Sequence, residues 1–170
     1  MTIIVCPLSE VARELEYSRP ARMVSLLAPD QDAPRAPAEL PRLTLRFHDI
    51  SEPRDGLVAP SRAMVAELLE FAAAWREPDP LLVHCWMGIS RSTAAALILA
   101  CAVDPAQDEV QIALALRKAS PSATPNRLIV ALADDLLGRQ GRLIAAAARI
   151  GRGEDAFQGR TFRLSARRPT

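Results

Sequence analysis

The sequence has few of the features that define several large classes of protein. Its three cysteines, Cys6, Cys85 and Cys101, are an odd number at unrelated spacings, which argues against a disulfide framework or a zinc pattern and favours a reducing compartment. The net charge is only +1, from 21 basic and 20 acidic residues, so there is no electrostatic case for binding nucleic acid or a membrane. No apolar run approaches the ~18 residues of a membrane-spanning helix. We therefore expect a cytoplasmic protein whose partner must be identified from its functional site.

The length of the chain favours a single domain. A chain of 170 residues can bury about 70% of its extended surface in one core without disulfides or a metal. We predict a folded domain over residues 1–150. The remaining tail, 151–170, contains glycine and arginine with little hydrophobic periodicity, and we expect it to be flexible or loosely packed.

Hydrophobic periodicity predicts strands that alternate with helices over the first two thirds of the chain, followed by helices alone. The predicted strands are Thr2–Cys6, Arg22–Ala28, Leu43–Asp49 and a run beginning at Leu81. The predicted helices are 9–17, 61–75, one from Ser92, one from Asp104 or Asp108, one from Thr124 or Asn126 to Gly138, and 142–149. This order predicts a three-layer α/β fold with a mainly parallel central sheet of about four or five strands. Such a sheet binds its ligand at the carboxyl ends of the strands.

One loop in this pattern carries the strongest functional signal. Residues 84–92 read His-Cys-Trp-Met-Gly-Ile-Ser-Arg-Ser between a buried strand and an apolar helix, so the loop lies on a helix N-terminus, where backbone N–H groups bind anions. A cysteine at this position, beside a guanidinium, is favoured as the nucleophilic thiolate. Arg91 can pair bidentately with two phosphoryl oxygens, and Gly88 allows a close backbone approach. The spacing therefore predicts a phosphate site with Cys85 as nucleophile.

The segment from His84 to Ser92 resembles the HCxxGxSRS phosphate-binding loop of the cysteine-dependent protein tyrosine phosphatases, in particular their compact dual-specificity type. The resemblance implies a protein tyrosine phosphatase-like fold and phosphate or sulfate in the loop, with neither metal nor cofactor. It also implies that the loop residues bind the phosphoryl oxygens; these are Trp86, Met87, Gly88, Ile89, Ser90 and Arg91.

A phosphatase of this kind needs a carboxylic acid that protonates the leaving oxygen. Asp49 precedes Cys85 by 36 residues and Asp55 precedes it by 30, and the resemblance implies an acid in this range. We favour Asp49, because a strand end fixes a side chain better than a loop containing proline and glycine does. Asp55 remains the alternative.

The resemblance then implies a complete reaction. Cys85 attacks phosphorus, Arg91 and the loop amides hold the equatorial oxygens, and Asp49 protonates the leaving group. Water hydrolyses the phosphocysteine while Ser92 stabilises the departing thiolate. The expected activity is hydrolysis of phosphotyrosine or related monoesters, with a phosphoprotein or a small phosphate monoester as substrate. The alternative is a phosphoprotein-binding module with weak or no turnover.

The sequence leaves the roles of Trp86, Met87 and Asn126 open, and the composition of the loop limits the substrate. Trp86 and Met87 can form an apolar wall for an aromatic leaving group or pack under the loop. Asn126 follows Pro125 in a pair that resembles one near the active site of dual-specificity phosphatases, but it also fits an ordinary helix N-cap. The loop residues 86–90 carry no lysine, whereas the phosphoinositide phosphatases of this superfamily usually place lysines there. A single phosphoryl group is therefore favoured over a polyanionic lipid headgroup.

Overall fold

The computed structural model describes residues 1–76 and 78–167. The strands are β1 (Thr2–Pro7), β2 (Arg22–Leu27), β3 (Arg42–Arg46), β4 (Leu81–Cys85) and β5 (Phe162–Ser165). The helices are α1 (Val11–Ser18), which follows a 3₁₀ turn at Leu8–Glu10, α2 (Arg62–Ala73), α3 (Arg91–Val103), α4 (Glu109–Ala119), α5 (Arg127–Leu136) and α6 (Arg142–Ile150). Of the predicted alternatives, Asp108 and Asn126 are the residues that cap α4 and α5.

The five strands form one sheet in the order β3-β2-β4-β1-β5. The first four of these are parallel, with Val24 opposite Val83 and Val5 opposite Val83 on its other side, and β5 runs antiparallel to β1. The central strands are continuous apolar runs because both faces of a parallel sheet are covered. The prediction of a mainly parallel α/β sheet is confirmed.

Helices cover the sheet on both faces and give the three predicted layers. On one face, a small cluster that includes Ile4, Met23 and Leu82 packs against Val11 of α1. On the other, the main core lies between the sheet and the layer of α2 to α6. Within the described residues, no helix is long and apolar enough to cross a membrane.

Strand β3 is shorter than predicted, which changes the setting of Asp49. Leu43 and Leu45 are buried while their neighbours are exposed, as the alternation predicts, but the strand ends at Arg46 and not near Asp49. After Phe47 the chain leaves the sheet, and His48 fixes the next loop: its backbone N–H donates to the carbonyl of Val58 at 2.7 Å and its Nδ1 accepts from the Val58 N–H at 2.9 Å. Asp49 therefore lies at the start of a loop that the two hydrogen bonds between His48 and Val58 hold in place.

Part of the tail belongs to the central sheet. Residues 162–165 form the edge strand β5 on β1, and Phe162, Leu164 and Ala166 are buried in the main core. A four-residue strand is too short to give a clear period of two, and its partner lies at the other end of the chain. Residues 168–170 of the predicted tail lie outside the described residues, and the domain boundary at residue 150 stays a prediction.

Candidate active site

The loop between β4 and α3 is shaped by a glycine and by its neighbours. Cys85 ends β4 and Arg91 begins α3, so residues 86–90 make the whole turn. Gly88 has a φ of +70°, and a Cβ on it would lie 2.8 Å from the backbone nitrogen of Pro7. Both its conformation and the close approach of β1 therefore require glycine.

The carbonyl groups of this loop point outward. Three of them accept hydrogen bonds from backbone N–H groups outside the loop. The carbonyl of Trp86 accepts from Leu8 at 3.1 Å, that of Met87 from Gly159 at 2.8 Å, and that of Ile89 from Thr124 at 2.9 Å. Because the C=O and N–H of one peptide point in opposite directions, the N–H groups of Met87, Gly88 and Ser90 turn to the inside of the loop. This is the arrangement of a backbone anion site at a helix N-terminus.

Cys85 lies at the floor of the loop beside two polar groups. Its Sγ accepts from the N–H of Gly88 at 3.2 Å and lies 3.1 Å from the hydroxyl oxygen of Ser92. Both groups can stabilise a thiolate. Burial raises the pKa of Cys6 far above its usual range and that of Cys101 to about 12, so both are uncharged thiols at neutral pH.

Arg91 is buried with part of its donor capacity unused. Its side chain is 7% exposed, and Nη1 donates to the carbonyl oxygen of Phe47 at 3.1 Å. Nε has no hydrogen-bond partner and lies 4.0 Å from Oδ2 of Asp49. Arg91, Cys85 and Asp49 line one pocket of about 320 Å³. A buried guanidinium without full pairing is costly unless an anion binds beside it.

Hydrogen bonds hold one carboxylate oxygen of Asp49, and the other oxygen faces the pocket side of Arg91. Its Oδ1 accepts from the hydroxyl of Ser90 at 2.7 Å and from Nδ2 of Asn126 at 2.8 Å, whereas Oδ2 faces Arg91. Asp55 is exposed in the following loop and is one of the described residues that do not line this pocket. Of the two predicted acids, only Asp49 lies with Cys85.

Asn126 combines the two roles that its sequence leaves open. Its Oδ1 accepts from the N–H groups of Leu128 and Ile129 at 3.0 and 3.1 Å, which caps α5. Its Nδ2 donates to Asp49 and to the carbonyl of Ile50. The N-cap signal was visible in the sequence, but the contact with an aspartate 77 residues away was not.

His84 is a neutral structural residue beside Cys85. It is fully buried, and its Nε2 lies 2.7 Å from the hydroxyl oxygen of Ser25 on the neighbouring strand. Burial lowers the pKa of His84 to about 4. The ring is therefore uncharged at neutral pH and bonded within the sheet.

The mouth of the pocket is aromatic. Trp86 is 45% exposed and lines the pocket, so of the two alternatives for its side chain, packing under the loop is wrong. Phe157 from the tail lines the pocket as well. Sequence reasoning missed Phe157 because the residues around it have no periodicity that would predict a defined position.

The sheet order, the helices on both faces and the loop at the carboxyl end of β4 define the α/β fold of the dual-specificity and tyrosine phosphatases. Among solved structures, the chain is similar to DUSP15 (TM-score 0.61, 17% identity, covering 86% of this chain and 88% of that one). It is also similar to a mouse putative dual specificity phosphatase complexed with zinc tungstate (TM-score 0.56, 19% identity, 82% and 84% covered).

A third similar structure is PTPMT1 in complex with PI(5)P (TM-score 0.58, 16% identity, 85% and 90% covered). No protein-family model and no curated protein matches the chain. At these identities the likeness establishes the fold, and the chemistry has to be argued from the site.

Proposed function

We propose that this protein is a cysteine-dependent phosphatase that hydrolyses phosphate monoesters through a phosphocysteine intermediate. The observation that carries the proposal is the common pocket of Cys85, Arg91 and Asp49, in which the buried Nε of Arg91 has no partner. A thiol, an incompletely paired guanidinium and a carboxyl group are the nucleophile, the oxyanion donor and the acid of this reaction.

Binding of the phosphoryl group uses donors that the protein itself leaves available. The N–H groups turned into the loop and the guanidinium of Arg91 surround the equatorial oxygens, which carry the charge of a loose transition state. The Sγ of Cys85, at the floor of the loop, attacks phosphorus in line with the leaving oxygen. The sulfur–phosphorus bond forms as the oxygen–phosphorus bond breaks.

Protonation of the leaving oxygen falls to Oδ2 of Asp49. Because Ser90 and Asn126 both donate to Oδ1, the carboxyl group is fixed in rotation and its proton is carried by Oδ2, the oxygen on the Arg91 side. The same oxygen then accepts a proton from the water that hydrolyses the phosphocysteine. Ser92, 3.1 Å from Sγ, stabilises the thiolate as it leaves.

The substrate is a single phosphoryl group on a protein or a small molecule. The described residues that line the pocket include one cation, Arg91, and one carboxylate, Asp49. This charge suits one phosphate ester better than a polyphosphorylated headgroup, although the similar PTPMT1 structure holds PI(5)P.

A second candidate is a phosphoprotein-binding module, and the position of Asp49 is the observation in its favour. Acid catalysis rests on Oδ2 alone, since two donors occupy Oδ1. If Oδ2 does not reach the leaving oxygen, the loop binds phosphate without turnover.

The test is hydrolysis of an aryl phosphate in the presence of a chelator. Cys85→Ser should abolish turnover, and Asp49→Asn should lower it by about 10²- to 10⁴-fold. Asp55→Asn is the matched control and should retain wild-type activity. Acid quenching during turnover should trap one phosphoryl group on Cys85, detected by peptide mass. Activity that survives Cys85→Ser would falsify the assignment, and phosphopeptide binding without turnover would select the module.

A further inference from the structure

The segment 153–159 of the tail crosses the phosphate loop and is fastened at both ends; we name it the strap. At one end, the N–H of Gly153 donates to the Thr124 hydroxyl at 3.1 Å and the N–H of Glu154 donates to the Pro121 carbonyl at 2.9 Å. At the other, the N–H of Gly159 donates to the carbonyl of Met87 at 2.8 Å. The strap is thus tied to the loop that holds Cys85.

Close packing fixes the strap at the same two points. A Cβ on Gly153 would overlap the carbonyl carbon of Ser122, and a Cβ on Gly159 would lie 2.7 Å from the carbonyl oxygen of Gly88. The backbone of the strap therefore lies directly on its neighbours at both ends. Between these two points, Ala156 and Phe157 line the pocket.

Phe157 lies in the strap and is 86% exposed. It belongs to neither hydrophobic cluster, so its ring contributes little to the stability of the fold. It nevertheless lines the pocket that contains Cys85 and Arg91, and so does the partly exposed Trp86. Two aromatic side chains, distant in sequence, therefore line the same pocket.

We propose that Phe157 is a specificity-determining residue that, together with Trp86, holds the aromatic ring of an aryl phosphate ester. The inference rests on the proposed function, because it assigns the substrate class of the same site. An aryl ester can bury its ring against both aromatic side chains while its phosphoryl group occupies the loop. The short alkyl chain of a serine or threonine phosphate has no ring to place there.

The charge of the pocket supports an aryl monoester over an inositol headgroup. The described lining residues supply one guanidinium and one carboxylate, and the mouth offers apolar rings to whatever carries the phosphate. A headgroup with further phosphates would bring charges that no second cation in this lining neutralises.

The experiment compares the kcat/KM for phenyl phosphate with that for an alkyl phosphate in wild type and in Phe157→Ala. The intrinsic reactivities of the two esters cancel when the ratio is compared between variants. We expect the aryl-to-alkyl ratio to fall by about fivefold or more in Phe157→Ala and to recover in Phe157→Tyr. Tyr17→Ala, which removes an exposed ring on α1 outside this pocket, is the control and should keep the wild-type ratio.

A binding measurement separates this proposal from the proposed function. In the Cys85→Ser background, titration with a phosphotyrosine peptide and its phosphoserine counterpart should give an affinity ratio that falls when Phe157→Ala is added. This preference can hold even if the protein does not turn over substrate. An unchanged ratio in Phe157→Ala, in either assay, would overturn the proposal. So would a wild-type preference for a soluble inositol phosphate over phenyl phosphate.

Discussion

Two buried arginines, Arg91 at the start of α3 and Arg139 in the connection between α5 and α6, have similar burial and different surroundings. Arg139 donates to the carbonyls of Pro105 and Cys101 at 3.2 and 2.8 Å and pairs with Glu109 at 3.0 Å. Arg91 donates to one carbonyl, and its nearest carboxylate oxygen is 4.0 Å away. The charge of Arg139 is compensated closely within the protein, and that of Arg91 is compensated incompletely.

An unpaired Nε does not by itself distinguish the two residues, because the Nε of Arg139 also lacks a partner. The difference lies in the partners of the other guanidinium nitrogens and in the pocket beside Arg91. Glu109 is shared further with Arg142 at 3.2 Å, which ties α4 to α6. A buried arginine is thus a structural residue where its charge is compensated internally and a candidate ligand-binding residue where it faces a pocket.

The largest expected effect is the loss of activity in Arg91→Met. Without the guanidinium, the charge of the transition state loses its main cationic donor, and kcat/KM for an aryl phosphate should fall by about a thousandfold or more. The free energy of unfolding should change by less than about 1 kcal/mol, since the buried charge was poorly compensated. Steady-state kinetics measures kcat/KM, and urea denaturation measures the free energy of unfolding. A stability loss as large as that of Arg139→Met would remove the distinction between the two arginines.

Arg139→Met should give the opposite result. It leaves the 9% exposed side chain of Glu109 with only the partly exposed Arg142, so unfolding should require about 3 kcal/mol less free energy. The activity per folded molecule should equal that of wild type, because Arg139 lies away from the phosphate loop. Urea denaturation and active-site titration measure both quantities. Reduced activity at full folding would mean that the two regions are coupled.

His84 contrasts with the two buried arginines, because it is a buried base that its surroundings keep uncharged. Burial is the main cause of its pKa of about 4, against an ordinary value of 6.5, and the positive charge of Arg91 adds to it. Between these two pH values the unfolded chain binds a proton that the folded protein does not, so stability falls as pH drops from 6.5 to 4. The loss should reach about 3 kcal/mol below pH 4.

The measurement is the free energy of unfolding against pH for wild type and for His84→Gln, which has no titrating ring. The difference between the two curves should be constant above pH 6.5 and shrink as the pH falls towards 4. Parallel curves across that range would mean that His84 has the same pKa in the folded and the unfolded protein.

The parts of this molecule that could be predicted are those encoded by neighbouring residues. The loop from His84 to Ser92 is contiguous, and the strand and helix on either side follow from local apolar patterns, so the fold class and the position of Cys85 could be inferred together. The caps at Asp108 and Asn126 were among the predicted alternatives because a side chain that caps a helix bonds to residues two or three positions away.

The parts that could not be predicted depend on pairing between distant segments. β5 is defined by β1, at the opposite end of the chain, and the position of Phe157 is defined by the bond of Gly159 to Met87. The glycines of the tail read as signs of flexibility in the sequence, whereas Gly153 and Gly159 are positions of close backbone contact. A glycine has the same sequence signal in both situations.

The smallest expected effect is stabilisation of the protein by inorganic phosphate. It tests whether an external anion compensates the charge of Arg91, as Glu109 compensates that of Arg139 within the protein. Inorganic phosphate at ten times its dissociation constant should stabilise wild type by about 1.4 kcal/mol, because it binds only the folded loop. It should not stabilise Arg91→Met, whose loop lacks the charge that the anion neutralises, and it should stabilise Arg139→Met as much as wild type. Thermal denaturation over a phosphate series, at constant ionic strength, measures all three. If phosphate stabilised Arg91→Met fully, the backbone N–H groups alone would account for anion binding, and the incomplete pairing of Arg91 would have another cause.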